Sequence, residues 1–190
     1  MNAASNYAPL SDRELLGRLI GVRAASRVYQ GSLLPLFSGG DAPEYEKCTV
    51  ARELVRRWLH EEIKRDCLLS APAAVRDYLR IHFAGRDYEA FVAILVDSQN
   101  RLIAIDELFR GSLTQTSVYP REIVKVALAR SAAAVIFAHN HPSGVAEPSR
   151  ADETLTQALK HALSLVDVRV LDHFIVAGAN VLSFAERGLI

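Results

Sequence analysis

Phe91-Val92-Ala93-Ile94-Leu95-Val96-Asp97, then Ser98-Gln99-Asn100-Arg101, then Leu102-Ile103-Ala104-Ile105-Asp106-Glu107-Leu108-Phe109 is the stretch on which the fold turns. An unbroken apolar run, four polar turn-forming residues and a second run with strand alternation predict a β-hairpin. Downstream, Pro120-Arg121-Glu122 starts a helix expected to run to about Ala132, and Ala133–Ala138 reads as a buried strand. Ser149 to about Leu165 is a further helix, and Val168–Gly178 with Val181–Phe184 supplies two or three short strands. Upstream, Ser70-Ala71-Pro72 opens a helix with Val75, Leu79 and Phe83 on its buried face. The order helix, hairpin, helix, strand, helix, strands predicts an α/β (α+β) domain, a mixed sheet flanked by helices.

Residues 11 to 66 read as helical. Ser11-Asp12-Arg13-Glu14 has capping-box form, and Val50, Leu54 and Trp58 recur every four residues along one helix face. Phe37-Ser38-Gly39-Gly40-Asp41-Ala42-Pro43 has turn chemistry and interrupts the run. The expected organisation is a small helical module over residues 1–67 and an α/β domain over residues 68–190.

Half of the 190 residues are apolar, and 22 basic residues balance 22 acidic ones. Such a chain buries a core without staples, and disorder of its bulk is excluded. The split leaves +1 on residues 1–67 and −1 on residues 68–190. Binding to phosphate backbones by bulk electrostatics is therefore not indicated. Cys48 and Cys67 lack Cys-x-x-Cys spacing, so neither a disulfide framework nor a cysteine zinc knuckle is expected, and a reducing, cytoplasmic compartment fits. No apolar run approaches the length of a membrane span, and no membrane role is implied.

The chemistry concentrates after the buried strand, in His139-Asn140-His141-Pro142-Ser143-Gly144, followed by Ser149-Arg150-Ala151-Asp152 at a helix start. Histidines two apart in extended chain project to one side, at a strand end where α/β proteins place sites. A carboxylate in the first turn of the next helix completes three ligands. Two histidines and a carboxylate with an open fourth position is the coordination of a catalytic zinc, the expected cofactor. Ser149-x-x-Asp152 is also a capping box, and Pro142-Ser143-Gly144 also an ordinary turn.

His139-x-His141, seven residues, then Ser149-x-x-Asp152 resembles the JAMM motif of the MPN/JAB metallopeptidases. AHNHPSG, PSRAD, ELFRGSL, YPREIVKVAL, LDHFIVAG and SFAERGLI are similar to the RadC-type JAB domain, over roughly residues 70 to 190. The resemblance implies a cytidine-deaminase-like fold and zinc held by His139, His141 and Asp152. It implies a hydrolase acting on a peptide or isopeptide-linked protein substrate through zinc-activated water. It also implies a glutamate that moves the proton, for which Glu89 and Glu107 are the candidates, with Glu89 placed first. Ser149 would support the oxyanion besides capping its helix. His173, in LDHF, would be a buried histidine supporting the ligands. His60, His82 and His161 carry no expected function.

RadC-like proteins usually carry an N-terminal helix-hairpin-helix whose Gly-rich turn meets DNA phosphates. Here that place holds Asp41-Ala42-Pro43-Glu44-Tyr45-Glu46-Lys47, acidic and without the Gly-x-Gly pair. The alternative function, a DNA repair or recombination-associated binding protein of the RadC type, therefore has thin support. A DNA partner would show itself by affinity that falls as salt rises.

Overall fold

A computed structural model describes residues 7–38, 43–65, 72–111 and 118–190. The expected turn at residues 39–42, Cys67, the Ser70-Ala71 helix entry and the 67/68 boundary lie outside the described residues. By its internal contacts the chain divides into two units, Met1–Arg57 and Trp58–Ile190.

The first unit contains α1 (Asp12–Ile20), α2 (Val22–Val28), α3 (Leu34–Ser38) and the start of α4 (Pro43–Arg65). Ser11 caps α1 with the reciprocal bond to Glu14 that the sequence indicated. Gly21, at φ +96°, breaks α1 from α2 in a conformation that favours glycine. Leu16, Ile20, Ala25, Leu36 and Cys48 form its small core. Pro43 to Lys47, where a helix-hairpin-helix would place its glycines, instead begins α4, with Glu44 and Glu46 in the first turn. Val50, Leu54 and Trp58 share a face of α4, and that face is solvent-exposed, at 53%, 62% and 56%. The helix buries Cys48 in one unit's core and Leu59 and Ile63 in the other's.

The second unit continues with α5 (Pro72–Phe83), β1 (Glu89–Val96), β2 (Leu102–Gly111), α6 (Pro120–Ala129) and β3 (Ala134–Asn140). α7 (Arg150–Ser164), β4 (Arg169–Ala177) and β5 (Asn180–Ser183) complete it. Among the described residues the strands form one sheet in the order β2-β1-β3-β4-β5. Only β3 and β4 run parallel, joined through α7, so the sheet is mixed.

The unbroken apolar character of β1 follows from cover on both faces. Ala90, Val92, Ile94 and Val96 pack with Val75, Leu79 and Phe83 of α5. Phe91, Ala93 and Leu95 pack with Ile123 and Ala127 of α6 and Leu159 and Leu163 of α7. Each large side chain removed from water this way contributes about 1.5–3 kcal/mol. The hairpin turns where Asp97 Oδ1 accepts the N–H groups of Gln99 and Arg101, with Asn100 at φ +58°.

α6 stops at Ala129 rather than near Ala132. Ser131 adopts φ +52°, and Ala132 N–H bonds to Ala127 O while Ser131 N–H bonds to Leu128 O. This C-terminal closure satisfies the last carbonyls and turns the chain into β3. Among the described residues no helix is long and apolar enough to cross a membrane.

Candidate metal centre

β3 lies inside the sheet with all seven residues buried, and it ends on Asn140. Strand alternation sends His139 to the face covered by α6 and α7. Phe91 pairs with His139 across the β1–β3 register and its ring stacks on the imidazole, with centroids 6.2 Å apart and planes 16° from parallel. His141 continues one residue past the strand, where its N–H still bonds to Val176 O of β4 at 2.8 Å. The chain then turns through Gly144 and reaches Ser149, the N-cap of α7.

The capping box positions the third group. Asp152 accepts from Ser149 N–H at 2.7 Å and from Ser149 Oγ at 2.7 Å through the same carboxylate oxygen, Oδ2. Ser149 Oγ in turn accepts from Asp152 N–H at 3.2 Å. Capping and the aim of the carboxylate are thus one arrangement: the bonds that begin the helix turn Asp152 toward the histidines.

His139 Nε2 lies 2.9 Å from His141 Nε2 and 3.3 Å from Asp152 Oδ1, while His141 Nε2 lies 3.6 Å from Asp152 Oδ2. One ligand atom from each residue falls within 4.8 Å of the others, a spacing able to hold one metal ion. His139 and Asp152 are buried; His141 opens to solvent. His141 Nδ1 donates to Val145 O at 2.8 Å, which leaves its Nε2 lone pair for a metal.

The electrostatics suit ligation. Burial pushes the Asp152 carboxyl up, but the facing imidazoles of His139 and His141 outweigh it and hold the group well below the usual carboxylate range. Burial holds His139 below its ordinary value, against the opposing pull of Asp152. The Asp152 carboxylate beside it raises His141 despite partial burial. The folded chain therefore offers an ionised carboxylate beside a buried, neutral imidazole.

Glu89 is the first residue of β1 and pairs with Gly111 of β2. Two residues before Phe91, it shares the face of Phe91 and His139, and continuation of the β1–β3 register sets it opposite His141. Its charge favours protonation of both His139 and His141. Glu107 lies elsewhere. It pairs with Val92, whose side chain faces α5, and it holds Arg86 in an ion pair at 2.6 Å on that opposite side of the sheet.

His173, fully buried on β4, places Nε2 2.8 Å from His139 Nδ1 and Nδ1 2.6 Å from Thr156 Oγ1. Burial holds its pKa well below the ordinary value, so the ring is neutral. Sequence reasoning passed over two residues here. Asn140 points to the opposite face from its histidine neighbours, accepts from Ala90 N–H at 2.8 Å and donates to Tyr88 O at 2.8 Å. It thereby fixes the backbone on both sides of Glu89. Thr156, one turn after Asp152, donates its hydroxyl proton to Asp152 O at 2.6 Å. A polar side chain alternating inward on a buried strand, and a threonine four residues after a ligand, are the signals that would have found them.

A family profile of the RadC-like JAB domain matches residues 69–189. A UPF0758 protein of Thiobacillus denitrificans is 54% identical over 93% of this chain and 78% of its own length. A UPF0758 protein of Herminiimonas arsenicoxydans is 52% identical over 95% of this chain and 90% of its own. One from Methylibium petroleiphilum is 55% identical over 92% and 77%. With the fold, the converging His139, His141 and Asp152, and these similarities in place, the chain belongs to the RadC-like JAB domain proteins of the UPF0758 family.

Proposed function

We propose that the protein is a zinc-dependent hydrolase of the JAMM type that cleaves a peptide or isopeptide bond. The observation that carries this reading is the convergence of two imidazole nitrogens and one carboxylate oxygen within 4.8 Å at the mouth of a strand-to-helix junction. A nitrogen-rich set with a single carboxylate suits zinc better than the all-oxygen preference of magnesium or calcium. Zinc held by His139, His141 and Asp152 would supply a Lewis acid able to lower the pKa of water to about 7.

The remaining steps belong to the chain's own groups. Glu89, across from His141, takes the proton of the attacking water and hands it to the departing nitrogen. Ser149 Oγ stands beside the third ligand and donates to Asp152 at 2.7 Å. Its support of the substrate oxyanion requires that proton to turn from the carboxylate toward the substrate oxygen. His141, at the solvent side, marks where a carbonyl approaches, while buried His139 and Asp152 close the site from behind.

The test is a panel of peptide and isopeptide-linked substrates given to the zinc-loaded protein and to Glu89→Gln. Turnover by wild type, lost about 10²–10⁴-fold in a variant that still holds stoichiometric zinc, supports the reading. A folded wild type that binds no zinc on reconstitution overturns it, and full activity in Glu89→Gln overturns the role of that residue.

A further inference from the structure

We propose that Thr156, acting through His173, fixes the tautomer in which His139 presents a bare Nε2 to the metal. The inference rests on the metal centre proposed above and names residues that do not touch the metal.

Each proton along the chain from Thr156 to His139 has one place to sit. The Thr156 hydroxyl has a single proton, and it goes to Asp152 O at 2.6 Å. What the oxygen turns to His173 Nδ1, 2.6 Å away, is therefore a lone pair, so Nδ1 carries hydrogen. A neutral imidazole has one N–H, which leaves His173 Nε2 as an acceptor. His139 Nδ1, 2.8 Å from that nitrogen, must then be the donor. Its own single proton spent there, His139 turns an unprotonated Nε2 toward His141 and Asp152.

His173 has no solvent exposure, and the rings of Phe91, Phe137 and Phe184 stand around it with centroids 5.4, 6.0 and 4.8 Å away. The relay also closes on itself. It begins at one ligand, His139, and ends on the backbone carbonyl of another, Asp152. Thr156 sits one turn beyond Asp152 on α7, so a single helix supplies a ligand and orients a second one from β3. His141, by contrast, has its tautomer set by the carbonyl of Val145.

Replacing the hydroxyl by a methyl reverses the chain of protons. In Thr156→Val, His173 Nδ1 faces no acceptor, so its proton moves to Nε2 and points at His139. His139 Nδ1 becomes an acceptor, and its proton moves to Nε2, onto the lone pair that the metal needs.

The experiment measures Zn²⁺ affinity by chelator competition for wild type, Thr156→Val, Thr156→Ser and Thr156→Ala, with thermal unfolding of each as a check on folding. Thr156→Val and Thr156→Ala are expected to bind Zn²⁺ ~10–100-fold more weakly, and Thr156→Ser close to wild type. A packing role for Thr156 gives the opposite order, because valine keeps the volume of threonine and serine does not. Long-range ¹H–¹⁵N spectra of the zinc-loaded wild type are expected to show His139 and His173 both as Nδ1–H tautomers. Wild-type affinity in folded Thr156→Val and Thr156→Ala, or His173 as Nε2–H, overturns the inference and leaves the metal site standing. A wild type that binds no Zn²⁺ overturns the site itself, so the two failures are distinguishable.

Discussion

The side-chain oxygen of Asn140 accepts the backbone N–H of Ala90 at 2.8 Å, tying the residue between the two histidines to the strand that begins with Glu89. The same amide donates to Tyr88 O, so one buried side chain pins the backbone on both sides of that glutamate. Asn140→Ala leaves an N–H and a carbonyl without this partner, at about 1–3 kcal/mol for each group that stays unsatisfied. The expected outcome is a clear loss in urea-unfolding stability with zinc content retained and turnover reduced, because ligands and glutamate are held by different bonds. Unchanged stability and turnover would remove Asn140 from this role.

Glu107→Gln separates the two carboxylates named from the sequence. Glu107 is engaged by Arg86 on the α5 side of the sheet, away from the ligands. Its replacement is expected to cost at most about 1 kcal/mol, as for other partly exposed ion pairs. Zinc binding and hydrolysis should match wild type. A loss of turnover comparable to that of Glu89→Gln would reverse the assignment.

Ser149→Ala removes an N-cap and one of the groups that aims Asp152. The cap alone is worth about 1 kcal/mol. Both a lower unfolding temperature and weaker zinc binding are expected, whereas Ser149→Thr should preserve them. Weakened stability with unchanged zinc affinity would show that Asp152 keeps its direction without the capping box.

Acidification should destabilise the metal-free protein. Burial holds His139 below and His173 well below the ordinary value of 6.5 in the folded chain. Unfolded, both regain it and bind more protons in acid. Their contribution is present above pH 6.5 and is lost as the pH falls through the folded values. His141, raised by Asp152, works the other way, with a contribution present below 6.5 and lost as the pH rises through its folded value. With two groups against one, the unfolding temperature is expected to drop between about pH 8 and about pH 5. The same titration of His173→Gln should show a shallower drop, and an equal one would locate the effect elsewhere.

The hairpin, the buried strand, the helices around it and the grouping of His139, His141 and Asp152 were legible because each has a local signature. The apolar run of Phe91–Val96, the turn at Asp97–Arg101 and the His-x-His to Ser-x-x-Asp spacing all lie within short stretches of chain. The end of α6 was misplaced because alanine-rich sequence favours continuing a helix, whereas the stop comes from the positive φ of Ser131 and bonds back to Ala127 and Leu128. The choice between Glu89 and Glu107 needed strand register, which no single strand reveals. Two β2 residues in succession, Glu107 and Leu108, occupy opposite sides of the sheet, and an irregularity in the β1–β2 pairing near Phe91 decides which goes where. His173, Asn140 and Thr156 act through partners far away in sequence or on the neighbouring element, and that pairing exists only once the sheet has formed.

His139, His141 and Asp152 come from one strand end and the first turn of the very next helix. A metal bound there closes only a short loop, for which the entropic cost is small. Its three groups need only the end of β3 and the start of α7, and none comes from β2 or β5. Glu89 reaches it only through the pairing of β1 with β3. Under the proposed function, metal capture and proton transfer are separate inheritances of the fold, and a descendant that lost the glutamate would keep the ion.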